Sequence, residues 1–336
     1  TVTFGAGVTG LIEDTTNTDT VTAGEKWNLQ MVGSASTGSL TPKLYSVIFT
    51  ANTNTYEWFQ SSNGFGMSAD LFEVLACVMT GVGGVTEAEA QRRFATAGTL
   101  KNMLVYVSAN TGGAGTSAVF RSRIGGSNGN LVVTFSDGAT GLLEDTSNSD
   151  AISVGSLVCW NVDVTTTTIT PQLVSFGFET TNDQAQCFAN NNADTVGIGL
   201  TRYMPIGGNG RTWTATESDV QQNANLDRIL SNYDVYVRTN GITAISTFRT
   251  RINGANGAQS VAFGSGVTGR LTDTTNRDVV APTDDINYSL VTGATGTTLV
   301  CLQMGCLVEA TLPPGLGPLV GEPESMHMSF AAMLRY

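Results

Sequence analysis

The sequence predicts an all-β chain: three tandem jelly-roll-like β-sandwich units, the first lacking its opening strands. Three observations carry that expectation. One eighteen-residue segment occurs three times at nearly even intervals, and self-similarity at a fixed period marks repeated structural units. Between the copies run short stretches rich in Val, Ile, Phe and Thr, bounded by Gly, Asn and Ser, as strands and their turns are. The polar residues are mostly uncharged. Thr is roughly one residue in seven, while only 13% of the 336 residues are charged and 41% are hydrophobic. Such a chain can bury real cores and cover them with β-branched hydroxyl side chains where most proteins place charges.

The repeated segment is VTFGAGVTGLIEDTTNTD from Val2 to Asp19, VTFSDGATGLLEDTSNSD from Val133 to Asp150, and VAFGSGVTGRLTDTTNRD from Val261 to Asp278, at offsets of 131 and 128 residues. Downstream, Trp27-Asn28-Leu29 matches Trp160-Asn161-Val162 and Tyr288-Ser289-Leu290. Leu40-Thr41-Pro42-Lys43-Leu44 matches Ile169-Thr170-Pro171-Gln172-Leu173. Upstream, Val105-Tyr106-Val107 and Phe120-Arg121-Ser122-Arg123-Ile124 lead into the second copy. Val235-Tyr236-Val237 and Phe248-Arg249-Thr250-Arg251-Ile252 lead into the third, and nothing similar precedes Val2. Units at 1–97, 98–225 and 226–336 follow. The first is expected to be completed by residues upstream of Thr1 or by strands from another chain, because an unpaired sheet edge invites aggregation. Met333-Leu334-Arg335-Tyr336 resembles Leu200-Thr201-Arg202-Tyr203, so Tyr336 reads as a natural C-terminus.

Within one unit eight strands are expected, at 105–108, 118–124, 131–135, 140–144, 151–154, 157–164, 169–178 and 195–200. Eight short strands in a unit of this size fit a jelly roll or a related sandwich. An immunoglobulin-like sandwich is the runner-up, without its Cys…Trp…Cys framework. Pro42 and Pro171 belong at a strand start or edge, where a missing N–H costs least. Helix is scarce. Thr86 and Glu89 form a capping-box pattern ahead of Ala90, and Thr216–Gln221 is its counterpart, so one short helix per linker is expected.

The best candidate site is the Asp-Thr-Thr-Asn-Thr-Asp run: Asp14, Asn17 and Asp19, then Asp145, Asn148 and Asp150, then Asp273, Asn276 and Asp278. These side chains could bind nearby backbone N–H groups and fix a turn between strands. They could also offer oxygens to a hard cation such as calcium, although the spacing is not that of an EF-hand. The turn is the preferred reading, and no cofactor is expected. Phe-Arg-Ser-Arg-Ile and Phe-Arg-Thr-Arg-Ile place two Arg on one strand face. They would serve as a salt-bridged outer face or as a grip on an anionic sugar or an acidic neighbour. Trp27, Trp160 and Tyr288 share one repeat position and read as core. Trp58 and Trp213 fall outside that register and read as exposed contacts. The Gly112–Gly115 run lacks the Lys-Ser/Thr of a phosphate loop. Glu13 and Asp14 face opposite ways on a strand and are no glycosidase pair.

Charge narrows the partners. With 16 Lys+Arg against 28 Asp+Glu the net charge is −12. The pI is near 4.4. Nucleic-acid binding needs clustered cations, and an acidic chain is repelled by anionic membranes. No apolar run is long enough to span a bilayer, and no charged start with an apolar h-region is visible. One histidine, His327, argues against His-based catalysis. Cys77, Cys159, Cys187, Cys301 and Cys306 show no CxxC spacing and read as buried thiols. Cys301 and Cys306, an odd number of positions apart, would point to opposite faces of one strand.

The run Gly7-Val8-Thr9-Gly10-Leu11-Ile12-Glu13-Asp14-Thr15-Thr16-Asn17-Thr18-Asp19, the turn at Ala23-Gly24-Glu25 and Trp27-Asn28-Leu29 resemble a repeat of tailed-bacteriophage virion proteins. The likeness spans all three units. The third departs from it at Thr272 and at Pro282-Thr283-Asp284. The resemblance implies a non-enzymatic structural protein of the virion surface, of the capsid-decoration, head-fibre or tail-fibre type. Its partners would be other virion proteins or copies of itself, with a trimer favoured. The alternatives are a carbohydrate-binding adhesin that meets a host surface glycan, and an extracellular filament subunit completed by donated strands.

Overall fold

The computed structural model describes residues 47–50, 55–62, 72–75, 79–80, 86–165, 168–180, 184–191, 193–224, 227–310 and 325–328, with a few single positions before residue 23. The chain separates into two compact units, Thr1–Pro42 and Lys43–Tyr336. The second is mostly strand over its described residues, with almost no helix. In chain order it runs β1 (Val47–Thr50), β2 (Thr55–Ser62), β3 (Phe72–Leu75), β4 (Met79–Thr80), a single-turn helix α1 (Glu87–Ala90), β5 (Arg92–Arg93), β6 (Gly98–Asn110), β7 (Ser117–Ile124), β8 (Ser127–Ser136), β9 (Gly141–Ile152), β10 (Leu157–Thr165) and β11 (Ile169–Thr180). It continues through β12 (Gln184–Asn191), β13 (Thr195–Gly197), β14 (Thr201–Pro205), β15 (Gly208–Arg211), a 3₁₀ turn at Glu217–Asp219, β16 (Gln222–Asn223), β17 (Arg228–Ile242), β18 (Ser246–Ile252), β19 (Ala255–Phe263), β20 (Gly269–Val280), β21 (Asp285–Val291), β22 (Gly296–Ala310) and β23 (Ser325–Met328).

Four sheets form two sandwich-like assemblies. In the first, the orders are β4-β2-β11-β6-β9 and β3-β10-β7-β8, with β5 also on β10. In the second they are β15-β12-β22-β17-β20 and β14-β21-β18-β19, with β13 on β22 and β16 on β21. The alternation of the sequence sets which side chains face inward. Ala118, Phe120 and Ser122 of β7 are buried while the residues between them are not. The first core joins Leu100, Val105, Phe120, Phe135, Trp160 and Phe176 from both sheets. The second joins Tyr233, Val235, Phe248, Phe263, Tyr288 and Leu290. The repeated aromatic is therefore core at both described positions, as the sequence predicts. Trp160 meets Phe176 edge-on at 4.3 Å, and Tyr288 stacks on Tyr233 at 5.1 Å.

The sheets are out of phase with the sequence repeat. β2 pairs with β11 and β3 with β10, although both lie before residue 98. Likewise β12 pairs with β22 and β14 with β21, although both lie before residue 226. Each assembly takes its first strands from the stretch that ends the preceding sequence unit. β12 also bridges the cores: Phe188 packs on Phe94 of the first at 5.8 Å, and Ala189 belongs to the second.

Other details depart from the sequence reading. The segments expected as separate strands at 140–144 and 151–154 are one strand, β9, with the Asp-rich run inside it. β12 and β14 were not anticipated. Cys301 and Cys306 lie in the same core, because β22 carries an irregularity where it pairs Gln303 with Tyr236 but Cys301 with Val237, which resets the alternation. Trp213 is not an exposed contact. It is half-buried against the second core, 6.2 Å from Phe248. Pro171 sits two residues into β11 at a register shift, beyond the stretch that β2 covers (Val174–Thr180), so its missing N–H breaks no pairing on that side.

Candidate functional site

The Asp-rich run makes a bulge, not a turn between strands. Opposite Lys101 and Met103 of β6 stand Ser149 and Asp145 of β9, so four steps on one strand match two on the other. The intervening Asn102 takes φ 55°, and Asn232 (φ 54°) does the same opposite the bulge of β20. Asn tolerates this left-handed conformation better than most residues. The Asp145 carboxylate fills the bulge. It accepts hydrogen bonds from the N–H groups of Ser147 (3.2 Å) and Asn148 (3.1 Å), from Ser147 Oγ (3.1 Å) and from Asn148 Nδ2 (2.9 Å). It also accepts one from Val132 N–H at 2.9 Å, across the gap to β8 in the opposite sheet. Asp273 repeats the pattern with Thr275, Asn276 and Ser260 of β19. Burial alone would raise these acids. The hydrogen bonds outweigh it and hold both at about 2, against 3.8 ordinarily.

The second Asp of each run closes the same gap from deeper inside. Asp150 accepts from Ser122 Oγ of β7 (2.5 Å) and from Asn130 N–H (2.7 Å) and Leu131 N–H (3.3 Å) of β8. Asp278 accepts from Thr250 Oγ1 (2.5 Å) and Ala258 N–H (2.5 Å). Glycine is required beside each of them. A Cβ on Gly129 would lie 2.6 Å from Asp150 Oδ2, and one on Gly257 would lie 2.8 Å from both Asp278 oxygens. Since β8 and β9 are the outer strands of their sheets, the motif is a clamp that joins two sheet edges.

The Arg pairs are divided in use. Arg123 forms a two-point ion pair with Glu87 of α1, at 3.0 and 2.9 Å, and also donates to Asn128 Oδ1 at 2.7 Å and to the Gly126 carbonyl. Arg251 does the same with Glu217 (2.8 and 3.0 Å), Asn256 and Gly254. Each linker turn is thus clipped to a strand of the assembly it leads into, β7 or β18. The capping box places Glu89 Oε2 2.9 Å from the Thr86 N–H, as the sequence predicts.

A joint between the assemblies was not legible in the sequence. Residues 89–96 of the first lie against β12, β17, β20 and β22 of the second. Arg270 pairs with Asp234 and donates to the Gln91 carbonyl (2.8 Å) and Gln303 Oε1 (3.0 Å). Gln303 Nε2 donates to the Glu89 carbonyl, Ala95 N–H to Gln186 Oε1 (2.8 Å), and Thr96 Oγ1 to Gln184 Oε1 (2.5 Å). Arg92 is buried here, and Asp234 is 6% exposed. Burial raises the Asp234 carboxyl, while Arg270, Arg93 and Arg92 pull it back.

Of the remaining sequence candidates, Asp14, Trp27 and Cys77 lie outside the described residues. Asn17 and Asp19 are exposed. Trp58 and His327 lie on β2 and β23. Among the described residues, no three His, Cys, Asp or Glu side chains gather as a metal site, and no helix is long and apolar enough to cross a membrane. Among the described residues, Cys159, Cys187, Cys301 and Cys306 form no disulfide. The recurring polar groups at the described positions bind the chain's own backbone and side chains. No protein-family profile and no curated protein matches the chain.

Proposed function

We propose that the chain is a non-enzymatic structural protein of a tailed-bacteriophage virion exterior, a capsid-decoration or fibre component that works through protein–protein contacts. One observation carries the reading: what recurs between the assemblies is scaffold. Asp145 and Asp273, Asp150 and Asp278, Arg123 and Arg251 each close on their own assembly. The strand orders support the fold half of the proposal. Numbered within each assembly, the main sheets run 1-8-3-6 and 2-7-4-5, which is the order of a jelly roll built from two Greek keys. Low charge and hydroxyl-rich strands suit a rigid exterior module, and the sequence resemblance supplies the setting.

The contact surface fits the same reading. On the outer face of β6, Tyr106 is 42% exposed, with Leu142 of β9 opposite it. The equivalent face of the second assembly, with Tyr236 under Arg270, is the one that residues 89–96 cover. A face used for docking in one copy of the fold is suited to docking in the other, here by a virion neighbour or a second copy in a trimer. Mass spectrometry of purified virions tests the proposal: high copy number supports it, and absence from the particle overturns it. The carbohydrate-binding alternative loses one of its loop aromatics, since Trp213 packs inward.

A further inference from the structure

The last described strand of the chain pairs with the first. β23 runs antiparallel to β1, with Val47 opposite Met328, Ile48 opposite His327, Phe49 opposite Met326 and Thr50 opposite Ser325. The two assemblies give that pairing its meaning. In each, the first strand lies antiparallel beside the last: β2 beside β11, and β12 beside β22. In each, that first strand follows directly on the last strand of the sequence unit before it, as β2 follows β1 and β12 follows β11. β1 occupies the last-strand position of its own unit. Leu40–Leu44 matches Ile169–Leu173, and Val47 stands three residues beyond Leu44 as Phe176 of β11 stands three beyond Leu173. β23 follows β22 as β12 follows β11. β23 on β1 is therefore the same first-beside-last pairing, used a third time.

We propose that the chain's own C-terminal strand, Ser325–Met328, is the first strand of the unit that β1 closes, so that the pairing passes from repeat to repeat and returns to its start within one molecule. The physical need is plain. An uncovered β1 edge presents a row of unpaired N–H and C=O groups to any passing chain. A tethered strand acts at an effective concentration on the order of 1 mM, so at about 10 μM protein closure within the chain outcompetes exchange between copies about 100-fold. The inference is independent of where the protein resides. It commits this strand to a partner in its own chain, and so opposes a filament built by donating it from copy to copy.

Two full-length double-cysteine variants test it, Ile48→Cys with His327→Cys and Phe49→Cys with Met326→Cys. Each is oxidised at about 10 μM beside its single-cysteine controls. The expected result is a disulfide within the chain in at least one variant, seen as a monomer with altered mobility on a non-reducing gel. Disulfide-linked dimers or ladders, or no new disulfide in either variant, would overturn the proposal. A second measurement needs no cross-link. Met326→Pro removes a strand N–H, and amide exchange at residues 48–50 should then rise at least about tenfold while that of β6 and β17 is unchanged. Unchanged exchange at 48–50 would equally overturn it.

Discussion

Asp145→Ala should loosen the first assembly by about 2 kcal/mol. The substitution removes the acceptor of five donors, and their weights differ. The N–H groups of Ser147 and Asn148 are on exposed residues and turn to water at little cost. The Val132 N–H faces the gap between the sheets, and losing its charged acceptor costs about 1–3 kcal/mol. An independent route agrees. A carboxyl held at about 2 instead of 3.8 corresponds to about 2.5 kcal/mol at most, reduced to about 1–2 because the bulge faces solvent. The sign follows from the depression: the contribution is complete above pH 3.8 and is lost as pH falls through about 2. Guanidinium unfolding followed by fluorescence reads the loss, since Trp160 is buried in the first core and Trp213 packs against the second. Asp273→Ala, at the equivalent clamp of the other assembly, should cost a similar amount. A loss below about 0.5 kcal/mol for Asp145→Ala, or an unchanged acid limb, would refute the clamp.

Three further outcomes are expected. Gly129→Ala should cost about 1–3 kcal/mol through overpacking against Asp150, whereas Gly113→Ala, whose Cβ meets nothing within 4 Å, should cost far less; denaturant midpoints compare them. Arg270→Ala strands the buried Asp234 carboxylate and should cost about 3 kcal/mol, separating the melting of the two assemblies in calorimetry; one unchanged transition would count against the joint. Adding a chelator or millimolar calcium should leave the melting temperature unchanged, because five protein donors occupy the Asp145 carboxylate; a calcium-dependent rise would restore the cation reading.

The sequence by itself determined the local and the repetitive: an all-β chain, the aromatic position filled by Trp160 and Tyr288, the inward Phe120 and Phe248, and the capping box at Thr86. These follow from side-chain period and from short-range hydrogen bonds, which are written in consecutive residues. It also marked Asp145 and Asp273 as backbone binders, but assigned them to turns, because an Asp/Asn run looks the same whether the chain reverses or bulges. Tertiary structure alone decided the rest. Alternation says which face a residue takes and says nothing of which strand lies beside it, so β2 and β12 could not be seen joining the sheets of the next repeat. The Arg270–Asp234 joint, the inward packing of Trp213 and the return of β23 to β1 all bring together residues far apart in sequence. Their partners are chosen by shared burial and edge pairing, and no local pattern encodes that choice.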